Sequence, residues 1–344
     1  MATPSPKTPG TRTTAVKTTV ATKKPTPAKK SIDVIIPAYN EEDCVPELTR
    51  RLGELFDRES QYTWRAIIVE NGSSDRTWAL LQEAGANDPR ITVARLSRNF
   101  GMDGGLTAGL AFAEADAVVF MTADLQDPPE AISLFLREWE NGADNVYGLV
   151  TERQGSSLIR RLNSRAFYAI ANSLTKGRLT KNASDFRLMD RRLYEAVRQL
   201  NERNRFMRGL VAWAGFESVG VPVPRPPRFG GKSKAYSWTV IDLAMRAIFA
   251  HSYFPIRAIS ILGFAAAAGA VIAFIVMTIF VLVNGVPFPG FGTIVALILF
   301  VFGALTLILG VIAEYIALIY EEVKGRPNFV VGDTIGLLEP KSSR

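Results

Sequence analysis

The sequence predicts an α/β domain followed by membrane-spanning helices, and three observations carry that expectation. Short apolar runs alternate with helical patterns from Ser31 onward, a polar cluster follows each run, and two long charge-free stretches lie near the C-terminus. Fully apolar strands alternating with helices imply a parallel sheet covered on both faces. In such a sheet ligands bind at the carboxyl ends of the strands, where the polar clusters fall.

The chain opens on a tail, residues 1–30, built from Thr, Pro, Ala and Lys, which is expected to be disordered. It holds Lys7, Arg12, Lys17, Lys23, Lys24, Lys29 and Lys30 and no acid. The whole chain of 344 residues has 40 Lys and Arg against 33 Asp and Glu, so these seven account for its net charge of +7. The rest is balanced, and no nucleic-acid partner is expected. The tail lacks the continuous apolar run of a secretory signal. A solubilising tail and an electrostatic tether to anionic lipid both fit it.

Cys44 is the only cysteine and His251 the only histidine. This excludes a disulfide framework and any zinc site built from several Cys or His ligands. His251 adjoins the membrane stretches and reads as interfacial.

From Ser31 the elements run in order. "IDVIIPAYN" is a buried strand and "CVPELTRRLGELF" a helix with proline in its first turn. "WRAIIVENGSSD" is a strand with a turn, "RTWALLQEAG" a helix and "ITVARLS" a third strand. "DGGLTAGLAFAEA" is a helix, "DAVVFMTAD" a fourth strand and "PEAISLFLREW" the helix after it. Where the fourth strand ends, "ADLQDPPE" raises a question of chemistry. In an extended segment residues two apart point the same way, so Asp124 and Gln126 together suit a hard cation, Mg²⁺ or Mn²⁺, through oxygen ligands. A capped turn before the next helix would produce a similar pattern.

Residues 258–283 and 293–320 are each long and apolar enough to cross the roughly 30 Å bilayer core. Arg246 and Arg257 precede the first, while Lys324 and Arg326 follow the second, which places both flanks and the tail 321–344 in the cytoplasm. The aromatic stretch 236–257 reads either as amphipathic helices at the interface or as packing against the preceding domain. The run Arg203, Arg205 and Arg208, alternating with Phe206 and Met207, suits a loop dipping into headgroups or an ordinary solvated face.

The motifs "VIIPAYNEE", "ENGSSDRT", "LSRNFG", "ADLQDPPE", "SDFRLMDRR", "ERNRFMRGLVAWAGF", "RFGGKSK" and "YEEVKGRP" occur in this order. Together they resemble the family 2 glycosyltransferases of the GT-A fold. More narrowly, they resemble the polyisoprenyl-phosphate glycosyltransferases, over about residues 31–332. The resemblance implies a GT-A, Rossmann-like nucleotide-sugar domain over 31–235, with the interfacial helices and a two-helix transmembrane hairpin after it. It implies an inverting enzyme of the cell membrane, its catalytic domain cytoplasmic. Such an enzyme moves sugar from a nucleoside diphosphate sugar, UDP-sugar favoured and GDP-mannose the other donor, to polyprenyl phosphate. The product would be a lipid-linked sugar for cell-envelope glycans. Mg²⁺ or Mn²⁺ is the cofactor, the lipid bilayer a partner, and a homo-oligomer is compatible with the chain.

By the same resemblance, Pro37, Tyr39 and Glu41 hold base and ribose, and Asn71 stands where the family reads the base with an acid. Ala123, Asp124 and Gln126 match the metal and diphosphate loop, with Asp124 and Gln126 as metal ligands. Asp185 matches the catalytic base. Arg228 and Lys234 fall to the donor phosphates, and Arg187, Arg205 and Ser233 to the acceptor phosphate. Three departures stand out: Thr122 replaces the first acid of the metal loop, Asn71 replaces the base-reading acid, and a family arginine falls among Leu149, Val150 and Thr151. Two other readings are a degenerate transferase domain serving as a membrane scaffold and a processive polysaccharide synthase.

Overall fold

A computed structural model describes residues 29–150, 183–226 except 201 and 204, residue 229, scattered helical positions between 261 and 283, and residues 290–337. Eight strands form one sheet in the order β7-β5-β6-β4-β1-β2-β3-β8. The first four are β1 (Ser31–Ala38), β2 (Thr63–Glu70), β3 (Ile91–Leu96) and β4 (Ala117–Phe120), paired in parallel around β1. Between them run α1 (Val45–Arg58), α2 (Thr77–Asn87) and α3 (Gly101–Phe112), close to the expected bounds.

The sheet is mixed, where alternation alone predicted a parallel one. β6 (Ala183–Asp190) inserts antiparallel between β4 and β5 (Asn145–Val150), and β7 (Ser218–Val223) pairs in parallel with β5. β8 (Val331–Ile335) closes the other edge antiparallel to β3. A mixed α/β sheet fits the GT-A fold that the resemblance implies. The antiparallel entry matters for chemistry, because it brings the beginning of β6, and with it Asp185, to the end of the sheet where β1 and β4 finish.

Strand alternation sorts the core into two layers. Ile32, Val34 and Ile36 of β1 face one layer, closed by α1, α2 and α4 (Ile132–Glu140) through Leu48, Leu52, Leu81 and Phe135. Ile35 faces the other layer, closed by α3, α5 (Arg191–Gln199) and α6 (Met207–Ala214) through Leu106, Tyr194 and Leu210. Each such side chain, fully buried, contributes about 1.5–3 kcal/mol of transfer free energy. Asp33 points to the second layer and is buried. It is held by a two-point fork from Arg65 at 2.8 Å and by the Glu114 and Ala115 N–H groups. A buried carboxylate requires such partners.

A 34-residue helix, α7 (Phe291–Lys324), follows. Within it, Phe300–Lys324 is long and apolar enough to cross a membrane, with mean hydropathy 2.2 and none of that window buried. Gly325, at φ 65°, ends the helix in the left-handed conformation glycine adopts without strain. The chain then returns to the domain. Arg203 N–H donates to Glu322 and its guanidinium to the Arg326 carbonyl, while Phe329 is buried in the second layer. The predicted stretches 236–257 and, for the most part, 258–283 lie outside the described residues, as do residues 1–28 of the tail.

Candidate active site

The loops after β1, β2, β3 and β4 meet at the carboxyl end of the sheet, and hydrogen bonds stitch them together. Asn40, at φ 52°, donates its N–H to Ser73 and accepts the Ser74 N–H, and Glu41 N–H donates to Thr77. Ser73 N–H in turn reaches buried Glu70, which Arg95 also pairs at 3.1 Å. Loops cross-linked in this way present a preformed wall.

The wall surrounds a cavity of about 230 Å³. Pro37, Tyr39, Glu41, Asn71, Ala123 and Asp124 all line it, so six of the residues expected at the nucleotide sugar come together. Asn99, Gly101, Met102, Thr122 and Ala38 complete it. Asn99 and Gly101 belong to the motif "LSRNFG" and Met102 follows it; its position after a strand is the signal available in the sequence. Arg228, Ser233 and Lys234 lie outside the described residues.

The loop after β4 does not take the extended form in which Asp124 and Gln126 would point the same way. Leu125 is buried at φ 59°, a left-handed conformation costing a side-chain-bearing residue roughly 1 kcal/mol. Its side chain anchors in the core while the backbone turns around it. Asp124 Oδ1 accepts from Thr122 Oγ1 at 2.7 Å and from the Gln126 N–H at 3.2 Å. Asp127 Oδ2 lies 2.8 Å from the same Thr122 hydroxyl and accepts the Thr122 N–H. Thr122, in the place of an acid, therefore bridges two carboxylates. Burial raises Asp127 above the ordinary range against the Thr122 hydrogen bonds, and Asp124 adds to the rise. Gln126 turns outward, its Oε1 accepting from Arg225 at 3.3 Å, and does not line the cavity.

Among the described residues no group of three or more His, Cys, Asp or Glu converges as a metal site. Asp124 alone of the proposed pair faces the cavity. That donor set fits a cation such as Mg²⁺, which keeps waters and takes its remaining ligands from substrate phosphates.

A second cluster forms where α6 meets β6. Arg208 of α6 donates Nε to Asp185 Oδ1 at 2.9 Å and Nη2 to Oδ2 at 2.5 Å. Burial acts to raise Asp185, but Arg208, with Arg187 and Arg225, outweighs it and holds the carboxyl below the usual range. Arg187 is buried, and burial pulls its guanidinium down to about 10. Its one hydrogen bond among the described residues goes to the Ser184 carbonyl at 3.1 Å. Beside them Asp103, in the first turn of α3, accepts the Met207 N–H at 3.0 Å and so caps α6. Its carboxyl is pushed up to about 6, chiefly by burial and further by Asp185, against the Met207 bond and the charges of Arg208 and Arg205.

Arg205, whose charge acts on Asp103, makes its hydrogen bond away from the fork. Its Nη2 donates to the Val197 carbonyl at 2.7 Å, at the end of α5. Arg203, Arg205 and Arg208 each make intramolecular hydrogen bonds and remain partly exposed. The sequence missed Arg208 and Asp103 as site residues, because their partners are remote along the chain.

Residues 33–198 match the family model described as glycosyl transferase family 2. An uncharacterised glycosyltransferase of Synechocystis is 38% identical over 89% of this chain and 96% of its own length. The chain belongs to glycosyltransferase family 2. A prophage-derived bactoprenol glucosyl transferase of Shigella flexneri is 33% identical over 87% of the chain and 97% of its own length. A solved glucosyl-3-phosphoglycerate synthase from Mycobacterium tuberculosis is 18% identical, covers 64% of this chain and 76% of its own, and has a TM-score of 0.46. The transferase thus carries its strand-end cavity within the matched residues, and the Asp185–Arg208 fork extends just beyond them.

Proposed function

We propose that this transferase moves a sugar, from a UDP-sugar in preference to GDP-mannose, onto the phosphate of a polyprenyl phosphate with inversion at the anomeric carbon. The observation that carries this reading is the cavity at the strand ends, lined together by Pro37, Tyr39, Glu41, Asn71, Ala123 and Asp124. The bactoprenol glucosyl transferase relative, matched over nearly its whole length, supports a polyprenyl phosphate as acceptor.

Asp124 is the residue to hold Mg²⁺ or Mn²⁺, with Gln126 joining only if its amide leaves Arg225. Such a cation would offset charge on the diphosphate. The rest of the work falls to side chains. Asp185 is kept ionised by Arg208 and is therefore a weak base. The acceptor needs little help, since a phosphate monoester loses its second proton near pH 6. The role that fits is orientation: Asp185 fixes Arg208, and the four guanidiniums of Arg208, Arg187, Arg225 and Arg205 outnumber the two carboxyls of Asp185 and Asp103. The excess positive charge favours a phosphate entering beside it.

The domain limits follow the same reading, with the catalytic unit at 31–235, interfacial helices at 236–257, and a hairpin of two spans whose second member is α7. A lipid acceptor carries its phosphate at the headgroup plane, so the site must be held there. The contacts of Arg203 with Glu322 and Arg326 tie the end of α7 to the segment before α6, two residues short of which stands Arg205. Purified protein with polyprenyl phosphate and a panel of UDP- and GDP-sugars tests the donor. A lipid-linked product from one UDP-sugar supports the reading, and product from GDP-mannose alone reverses the donor preference.

A further inference from the structure

The family pattern has an acid after the second strand to read the base. Here Asn71 takes that place, and its amide is already committed. Its Oδ1 accepts the Phe100 N–H at 2.9 Å and its Nδ2 donates to the Gly101 carbonyl at 2.8 Å. Only a group with one donor and one acceptor side by side satisfies both. An ionised carboxylate would meet the Phe100 N–H well but would set an acceptor against the Gly101 carbonyl.

The turn that Asn71 grips is tightly built. Gly101 has φ 79°, and its N–H donates to Asn99 Oδ1 at 2.7 Å. Gly72, next to Asn71, packs so close that an added Cβ would lie 2.6 Å from the Arg98 carbonyl carbon. Asn99, Gly101 and Met102 of this turn line the cavity, while Asn71 itself is 3% exposed. We infer that Asn71 is a positioning residue, whose amide brackets the Phe100–Gly101 turn and thereby fixes the wall against which the nucleotide lies, in place of the family's base-reading acid. This inference rests on the cavity being the nucleotide site.

The inference gives Asn71→Asp an unusual signature. A protonated carboxyl presents one donor and one acceptor, as the amide does, so the variant should recover as the pH falls. Burial and the facing Gly101 carbonyl both raise the introduced group, so stability present at low pH is lost as pH rises through its titration. Other titratable groups at this end of the sheet are Glu70, paired with Arg95, Glu41 and Asp124 across the cavity, and Arg98 in the turn. Wild type, carrying all of these, is the control for their titration.

The experiment measures thermal stability and UDP binding, by calorimetry with Mg²⁺, for the full chain in detergent at pH 5 and pH 8. Asn71→Asp should melt below wild type at pH 8 and bind UDP roughly tenfold or more weakly, with both defects shrinking at pH 5. Asn71→Ala should lose stability and affinity at both pH values alike. This second variant keeps the test decisive should Asn71→Asp not fold at pH 8. Asn71→Asp that is as stable as wild type and binds UDP equally or more tightly at pH 8 overturns the inference and restores a base-reading acid. Wild type that binds neither UDP nor GDP defeats the nucleotide reading instead, and the pH dependence of melting still decides the bracket.

Discussion

Arg208 and Asp185 close a two-point fork, Nε to Oδ1 at 2.9 Å and Nη2 to Oδ2 at 2.5 Å, although they stand on different elements 23 residues apart. A carboxylate so held accepts a proton poorly. The motif that marks it as a base and the geometry around it therefore lead to different kinetics. If Asp185 positions the acceptor through Arg208, Asp185→Asn should lower kcat by roughly ten- to a hundredfold, within the lower part of the range for a misplaced group. The remaining rate should follow acceptor ionisation near pH 6. Donor affinity should not change. A loss that is severe at pH 6 and largely relieved at pH 8 would return the base role to Asp185.

Asp103 offers a separate pH test. Its folded value, about 6, is raised, so the stability linked to it is present at low pH and lost as pH rises through that value. Asp185, held low, contributes no change between pH 5 and 8. Asp103→Asn keeps an oxygen for the Met207 N–H and removes the buried charge. It should raise the melting temperature at pH 8, by a free energy on the order of 2 kcal/mol, and leave it nearly unchanged at pH 4. Equal shifts at both pH values would show that the charge is not the cause.

The Thr122 bridge predicts how the metal loop responds to a restored acid. Thr122→Asp would place three carboxylates together and remove the hydroxyl that separates two of them. The variant should melt lower than wild type in EDTA and recover more than wild type when Mg²⁺ or Mn²⁺ is added. Asp124→Ala should lose cation-dependent transfer with its fold intact. Full activity of Asp124→Ala, or no cation effect on Thr122→Asp, would contradict the metal assignment.

Topology is testable because the native thiol, Cys44, is buried. A cysteine introduced at Asn284, in the stretch 284–290 that precedes α7 in sequence, should react with an impermeant reagent added outside intact cells. One introduced at Ser342 should react only after lysis. The reverse result would put the catalytic domain outside.

Much of this was legible in the sequence, for identifiable reasons. β1 to β4 announce themselves as apolar runs, because both faces of each strand are covered. β6 was read as the motif "SDFRLMDRR" and not as a strand. Its Phe186 and Leu188 face one layer while Asp185, Arg187 and Met189 face the other, so charged residues fill half of its alternation. β5, β7 and β8 are edge-side strands with mixed burial and carried no comparable signal. Six of the residues expected at the nucleotide sugar line one cavity, since strand ends gather polar groups in any such sheet. What each one touches was not legible. Gln126 faces Arg225 because Leu125 adopts a positive φ, and no pattern in "DLQD" signals that turn.

The measurement that tests the central claim most directly follows labelled sugar from a UDP-sugar into the organic phase, using the full chain reconstituted in vesicles with and without polyprenyl phosphate. The account predicts label in the organic phase only when the polyprenyl phosphate is present, and its loss with Asp124→Ala. Sugar released to water at the same rate without the lipid, or no transfer from any UDP- or GDP-sugar, would contradict it.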